Sequence, residues 1–201
     1  MAADMTKVRQ VGILVFPDVE VLDFAGPFEV FAAAGEVLTG TPFRTYTVGT
    51  GKQPIAARNG LLLVANYELQ TAPPPDILVL PGGSGSRVAS QEPLYMDWVR
   101  AAGSHAERIL TVCTGARFSA RLGWLDGVAY TTHHMAFDEL RELAPLGRPD
   151  PSARFVNGGK LLSAAGVSAG IDASLHLVSE YCGREAAAMV ADYMEYPLRP
   201  E

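Results

Sequence analysis

Cys113 is one of two cysteines, with Cys182, in a chain of 201 residues. It stands where a strand-like run, Arg108-Ile109-Leu110-Thr111-Val112, meets a helical stretch from Gly115 to Leu122. A residue at such a junction is presented above a sheet, as a nucleophile elbow presents its nucleophile. The free amides and dipole of a helix N-terminus favour thiolate, the reactive form, so a lowered thiol pKa is expected. The competing reading of Cys113 is a small buried core residue, the common fate of a free cysteine. Three further groups belong to the same chemistry. Asp23, 90 residues earlier, is either a helix N-cap or a carboxyl that shares a proton with the Cys113 sulfur, since two adjacent negative groups do not both ionise cheaply. Gly82 and Gly83, in Pro81-Gly82-Gly83-Ser84, would offer amides that, with that of Thr114, hold an oxyanion; otherwise they only make a tight turn. His133 and His134 either reach toward Cys113 as a general base or cap a helix. No metal site is expected, because only Asp138 and Glu139 lie near that pair and no helical His-x-x-x-His or paired-cysteine spacing occurs. Cys182, His105 and His176 are read as packing or surface residues.

These groups need elements to position them. Val11 to Phe16, ended by Pro17 and Asp18, is continuously apolar, and Asp76 to Leu80 is so after its first residue, as strands covered on both faces of a parallel sheet are. Arg108 to Val112 is a third such strand. Helices are expected over Gly26–Gly35, with Pro27 at the first helical position, Pro93–Ala102, Gly115–Leu122, Met135–Leu143, Ala169–Cys182 as the longest, and Glu185–Tyr193. Phe43–Val48 and Leu61–Val64, with the turn signal Asn59-Gly60, read as strands with a hairpin, Val128–Tyr130 as a short strand, and Phe155–Ala164 as a hairpin about Asn157-Gly158-Gly159. Strands alternating with helices imply an α/β fold: a doubly wound, mainly parallel sheet sandwiched by helices, with a small β-hairpin. In such sheets ligands bind outside the carboxyl ends of the strands, where Asp23, Gly82-Gly83 and Cys113 would all lie.

Composition narrows the function classes. The chain is 48% hydrophobic and 19% charged, with 16 Lys plus Arg against 22 Asp plus Glu, a net charge of −6. That excludes disorder, and a negative field without a basic cluster argues against nucleic-acid partners. Two cysteines make no disulfide scaffold and suit a reducing, cytoplasmic setting. No signal peptide and no membrane-spanning run is expected. One domain over residues 1–201 is expected, with loose termini at about 1–7 and 195–201.

Leu22-Asp23-Phe24-Ala25-Gly26-Pro27, Leu80-Pro81-Gly82-Gly83 and Val112-Cys113-Thr114-Gly115 resemble the ThiJ/PfpI family, of the class I glutamine amidotransferase-like, flavodoxin-like fold. Thr131-Thr132-His133 and Ala165-Gly166-Val167-Ser168-Ala169-Gly170-Ile171-Asp172 are similar in particular to its isocyanide hydratase branch. They also occur in the amidase-like sensory domains of AraC-type regulators. The resemblance covers nearly the whole chain. It implies a homodimer without cofactor, with Cys113 as nucleophile, Asp23 as its acidic partner, and Thr114 and Gly83 assisting; His133 is kept as a candidate accessory group on the residue reading above. The small-molecule substrate it implies is an isocyanide, converted with water to an N-substituted formamide through a Cys113 thioimidate. Protease and glyoxalase-like members place a His directly after the cysteine; Thr114 stands there, so a Cys-His peptidase mechanism lacks its base. His134 stands where the hydratases carry an aromatic residue. Two rivals follow: a non-catalytic ligand-sensing domain, and an oxidation sensor acting through Cys113.

Overall fold

The computed structural model describes residues 7–40 and 42–198. Its main sheet has seven strands in the order β10-β11-β7-β6-β1-β2-β5. These are β1 (Arg9–Leu14), β2 (Phe43–Gly49), β5 (Tyr67–Glu68), β6 (Ile77–Leu80), β7 (Arg108–Val112), β10 (Phe155–Gly158) and β11 (Leu161–Ala164). All neighbours are parallel except β10 and β11, which form the expected hairpin. β6 is wholly buried and β1 and β7 nearly so, which is why their residues form continuous apolar runs rather than an alternating pattern. The order moves from β1 to β2 in one direction and to β6, β7 and β11 in the other. The switch point therefore falls between β1 and β6.

Seven helices cover the sheet: α1 (Val21–Val37), α2 (Ser86–Ala89), α3 (Pro93–His105), α4 (Ala116–Arg121), α5 (Phe137–Leu143), α6 (Ala169–Cys182) and α7 (Arg184–Tyr193). α1 packs against α6 and α7. With 17 residues α1 is the longest helix, not α6 with 14. It begins five residues before the expected start, so Pro27 lies inside it and Asp23 in its first turn. A proline there removes one intrahelical hydrogen bond and crowds the preceding turn, and the tertiary packing of Phe24, Val30 and Phe31 against the core outweighs that cost. The expected N-cap reading of Asp23 is thus corrected: Glu20 holds the N-cap position.

The small hairpin pairs β3 (Ile55–Ala56) with β4 (Leu62–Leu63), not with β2, which lies inside the main sheet. Its turn carries Asn59 and Gly60 at φ of 62° and 89°. β8 (Ala129–Tyr130) pairs with β9 (Arg148–Pro149) apart from the main sheet. Both described ends make side-chain hydrogen bonds. Lys7 donates to Asp76 and Glu107 at 2.7 Å each, and the Tyr196 hydroxyl donates to Asp172 at 3.1 Å. Residues 1–6 and 199–201 lie outside the described residues.

Candidate active site

Four strands deliver the site from their carboxyl ends. β1 leads through Phe16 to α1 and Asp23, β6 leads to Gly82 and Gly83, β7 to Cys113, and β11 to Val167. Cys113 opens a single 3-10 turn, Cys113–Gly115, that runs directly into α4. Its φ is +57°, the left-handed region that side chains with a Cβ seldom occupy, at a cost of about 1 kcal/mol or more. The surrounding backbone over-determines it: the Cys113 amide donates to the Ala165 carbonyl at 2.9 Å, and the Thr132 hydroxyl donates to the Cys113 carbonyl at 2.7 Å.

Asp23 is wholly buried. Its Oδ2 accepts from the Gly82 amide at 2.9 Å. Oδ1 has no donor at ordinary hydrogen-bond geometry, and the Cys113 thiol and the Val167 amide are the looser groups that act on the carboxyl. Burial pushes the carboxyl up to about 7, against the opposing pull of the Gly82 amide. Burial also pushes the Cys113 thiol up to about 12, reinforced by the Asp23 charge, while the amides of Thr114 and Val167 act the other way. The expected lowering of the thiol pKa is therefore corrected. Desolvation and a facing carboxylate outweigh the helix-end amides. With Asp23 at about 7 and Cys113 at about 12, one proton is left to the pair between those values.

The two glycine amides are committed elsewhere than expected. That of Gly82 serves Asp23, and that of Gly83 donates to the Thr114 hydroxyl at 3.0 Å. Gly82 itself is dictated by space: a Cβ there would stand 2.5 Å from both the nitrogen and the hydroxyl of Thr114 and 2.9 Å from Asp23. The Thr114 amide remains aimed at the Cys113 sulfur.

His133 caps the turn His134–Ala136, its Nδ1 accepting from the Met135 amide at 3.3 Å, and its ring lies 4.3 Å from that of His134. Burial, followed by the neighbouring His134, lowers its pKa. Neither histidine is among the groups acting most strongly on Cys113. Cys182, at the end of α6, packs half-buried against the core, and burial raises its thiol pKa. Among the described residues no three His, Cys, Asp or Glu side chains gather as a metal ion would need. A cavity of about 320 Å³ lined by Ile109, Trp124, Lys160 and Leu161 lies where β7 begins, at the edge opposite Cys113.

Val167, Thr132 and Arg117 are the site residues that the sequence reading missed. Val167 has φ of +51°, an outlier for a β-branched residue. Val167 and Thr132 fall within the segments Ala165–Asp172 and Thr131–His133 that carry the family resemblance, which was the available signal.

A sequence model of the DJ-1/PfpI family matches residues 9–180. An isonitrile hydratase of Pseudomonas putida is 31% identical over 95% of this chain and 80% of its own length. The structure of a ThiJ/PfpI family protein from Pseudomonas syringae superposes with a TM-score of 0.86 at 28% identity, covering 98% of this chain and 78% of that one. The HTH-type transcriptional regulator GbdR of Pseudomonas aeruginosa is 24% identical over 94% of this chain but only 51% of its own length, so this chain spans about half of that relative. Among the described residues no helix is long and apolar enough to cross a membrane.

Proposed function

The chain belongs to the DJ-1/PfpI family, and from that premise we propose that it is a cofactor-independent isocyanide hydratase acting through Cys113. The observation that carries the reading is the buried Cys113–Asp23 pair, which holds one proton across neutral and basic pH. One proton on two groups is what the addition of a thiol to an isocyanide needs. The Cys113 sulfur attacks the terminal carbon of R–N≡C while the shared proton passes through Asp23 to that carbon, giving the thioimidate R–N=CH–S. Asp23, now a carboxylate, takes a proton from water as the water oxygen bonds to the thioimidate carbon. That proton returns to the nitrogen. Collapse of R–NH–CH(OH)–S releases the formamide R–NH–CHO and returns the thiol proton to the pair.

The amides of Thr114 and Val167 steady the sulfur as it gains charge. Gly83 joins them only if its amide exchanges Thr114 for the intermediate, and Gly82 stays with Asp23. His133 has no step in this scheme. The proposed protein is a homodimer, whose mass in sedimentation would be twice 21.4 kDa.

The addition step keeps every atom of the substrate. Acid quenching during turnover of an alkyl isocyanide should therefore raise the intact mass of the protein by the full mass of the isocyanide, mapped to Cys113 and absent in Cys113→Ala. An unmodified wild type at every quench time, with formamide still forming, would exclude the thioimidate.

A second reading, a ligand- or oxidation-sensing domain without turnover, is favoured by the commitment of both glycine amides to Asp23 and Thr114. It predicts saturable binding of a small molecule, or selective Cys113 oxidation, with no formamide formed.

A further inference from the structure

Arg117 sits on α4, four residues after Cys113, with its side chain only 6% exposed. A buried guanidinium needs an account, because a charge removed from water is costly unless it is paired and its donors are used. One edge of the guanidinium is bidentate on Glu139 of α5: Nε donates to Oε1 at 3.0 Å and Nη2 to Oε2 at 2.7 Å. From the outside Arg87 also donates to Oε2, at 2.8 Å. The remaining contact points inward, with Nη1 donating to the Ser86 hydroxyl at 2.6 Å.

Ser86 is wholly buried and has one hydrogen to give. It donates that hydrogen to the Gly83 carbonyl at 2.7 Å. The Thr114 hydroxyl stands 3.0 Å from that of Ser86, a contact in which either oxygen can donate, and 3.2 Å from the same Gly83 carbonyl, which can accept from it. The Gly83 amide donates in turn to the Thr114 hydroxyl, at 3.0 Å. These contacts close a ring from Gly83 through Thr114 and Ser86 back to Gly83. Arg117 is the charged donor that ties this ring to the helix following the nucleophile.

We propose that Arg117 is a positioning residue for the Cys113 thiol: it fixes Ser86, and Ser86 fixes Thr114, so that the Thr114 amide stays against the sulfur. The inference rests on Cys113 being the reacting group of the proposed reaction. It explains why a backbone at φ of +57° persists at Cys113: Ala165 and Thr132 hold it from one side, and the Arg117–Ser86–Thr114 chain holds the next residue from the other. Asp23 from α1, with Glu20 behind it, is the charged group facing the thiol, and none of the variants below touches either.

The test is the rate of alkylation of Cys113 by iodoacetamide against pH, in a Cys182→Ser background so that one thiol reports. Ser86→Ala and Arg117→Met remove the chain at two points, and Arg87→Ala removes the outer partner of Glu139 without reaching Ser86. Ser86→Ala and Arg117→Met are expected to slow alkylation at pH 8 by about tenfold, a one-unit rise in thiol pKa. Arg87→Ala should stay within about twofold of the parent, because an exposed partner contributes little. In isocyanide hydration the same two variants should lose kcat with KM nearly unchanged. If Arg117→Met does not fold, Ser86→Ala decides. A folded Ser86→Ala protein with the parent's pH profile would overturn the proposal, and so would an equal shift in Arg87→Ala. Alkylation uses no isocyanide, so a parent that hydrates none sinks the hydratase reading while the Ser86→Ala shift still judges Arg117.

Discussion

At the scale of single residues the decisive pair is Asp23 and Cys113, because burial acts on both in the same direction. Each is pushed to hold its proton, Asp23 to about 7 and Cys113 to about 12. The thiol is thus not a free thiolate waiting for substrate; its reactivity depends on moving one proton within the pair. This has a consequence for stability. Asp23 binds a proton more tightly in the fold than its ordinary value of 3.8 allows in the unfolded chain. Between about pH 4 and about pH 7 the folded state therefore holds the extra proton, so this contribution to stability is full below that window and is lost as pH rises through it. Asp23→Asn removes the titration. The wild-type melting temperature should fall from pH 4 to pH 7 relative to that of the variant, and parallel curves would show that Asp23 ionises normally. Asp23 and Cys113 were legible in the sequence because each follows a strand run at the same sheet edge. The direction of the thiol shift was not, since it depends on how deeply the fold buries the sulfur.

At the scale of elements, the strand ends and helix starts act as the frame that holds strained backbone. β1, β6 and β7 could be read from their apolar runs and β11 from the hairpin signal Asn157-Gly158-Gly159, and the α/β class followed from the alternation of strands with helices. The roles of Thr132 and Val167 could not be read. Thr132 reaches across from the turn after β8 to the Cys113 carbonyl, and Val167 matters through its φ and its amide. Residue type shows the Thr132 hydroxyl but not the carbonyl it reaches, and it shows nothing of the backbone angle at Val167. Arg117 was hidden for a similar reason, as a charge inside a short helix otherwise reads as surface. Thr132→Val keeps the side-chain shape but removes the donor to the Cys113 carbonyl. Leaving that buried acceptor unpaired should cost about 1–3 kcal/mol of unfolding free energy. At roughly 2–4 °C per kcal/mol for a chain of this size, calorimetry should show a drop of several degrees. A melting temperature within a degree of wild type would mean that the Cys113 turn does not need this bond.

At the scale of the whole molecule the two edges of the sheet are specialised. The reactive groups gather at the carboxyl ends, while an ion-pair cluster closes the amino ends. Lys7 bridges Asp76 and Glu107, Arg9 donates to Glu107 at 3.2 Å, and Asp76 accepts from the Gln10 amide at 2.8 Å. Although burial pushes both carboxyls upward, Lys7 and its neighbours hold Asp76 and Glu107 below their ordinary values. Their contribution is present above the unfolded values near 4 and disappears as pH falls through the lower folded ones. Lys7→Ala should thus cost less than about 1 kcal/mol at pH 7 in urea unfolding, because the lysine is half exposed, and less as the pH falls toward 2. A loss of equal size at both pH values would point to packing instead. In the proposed reaction Cys113 and Asp23 together perform the chemistry. The most direct test is formation of N-substituted formamide from an alkyl isocyanide by wild type and Cys113→Ala between pH 5 and pH 9. Wild type alone should turn over, at a rate rising through about pH 7 as the pair drops to one proton; equal formamide formation by both proteins would contradict a catalytic Cys113.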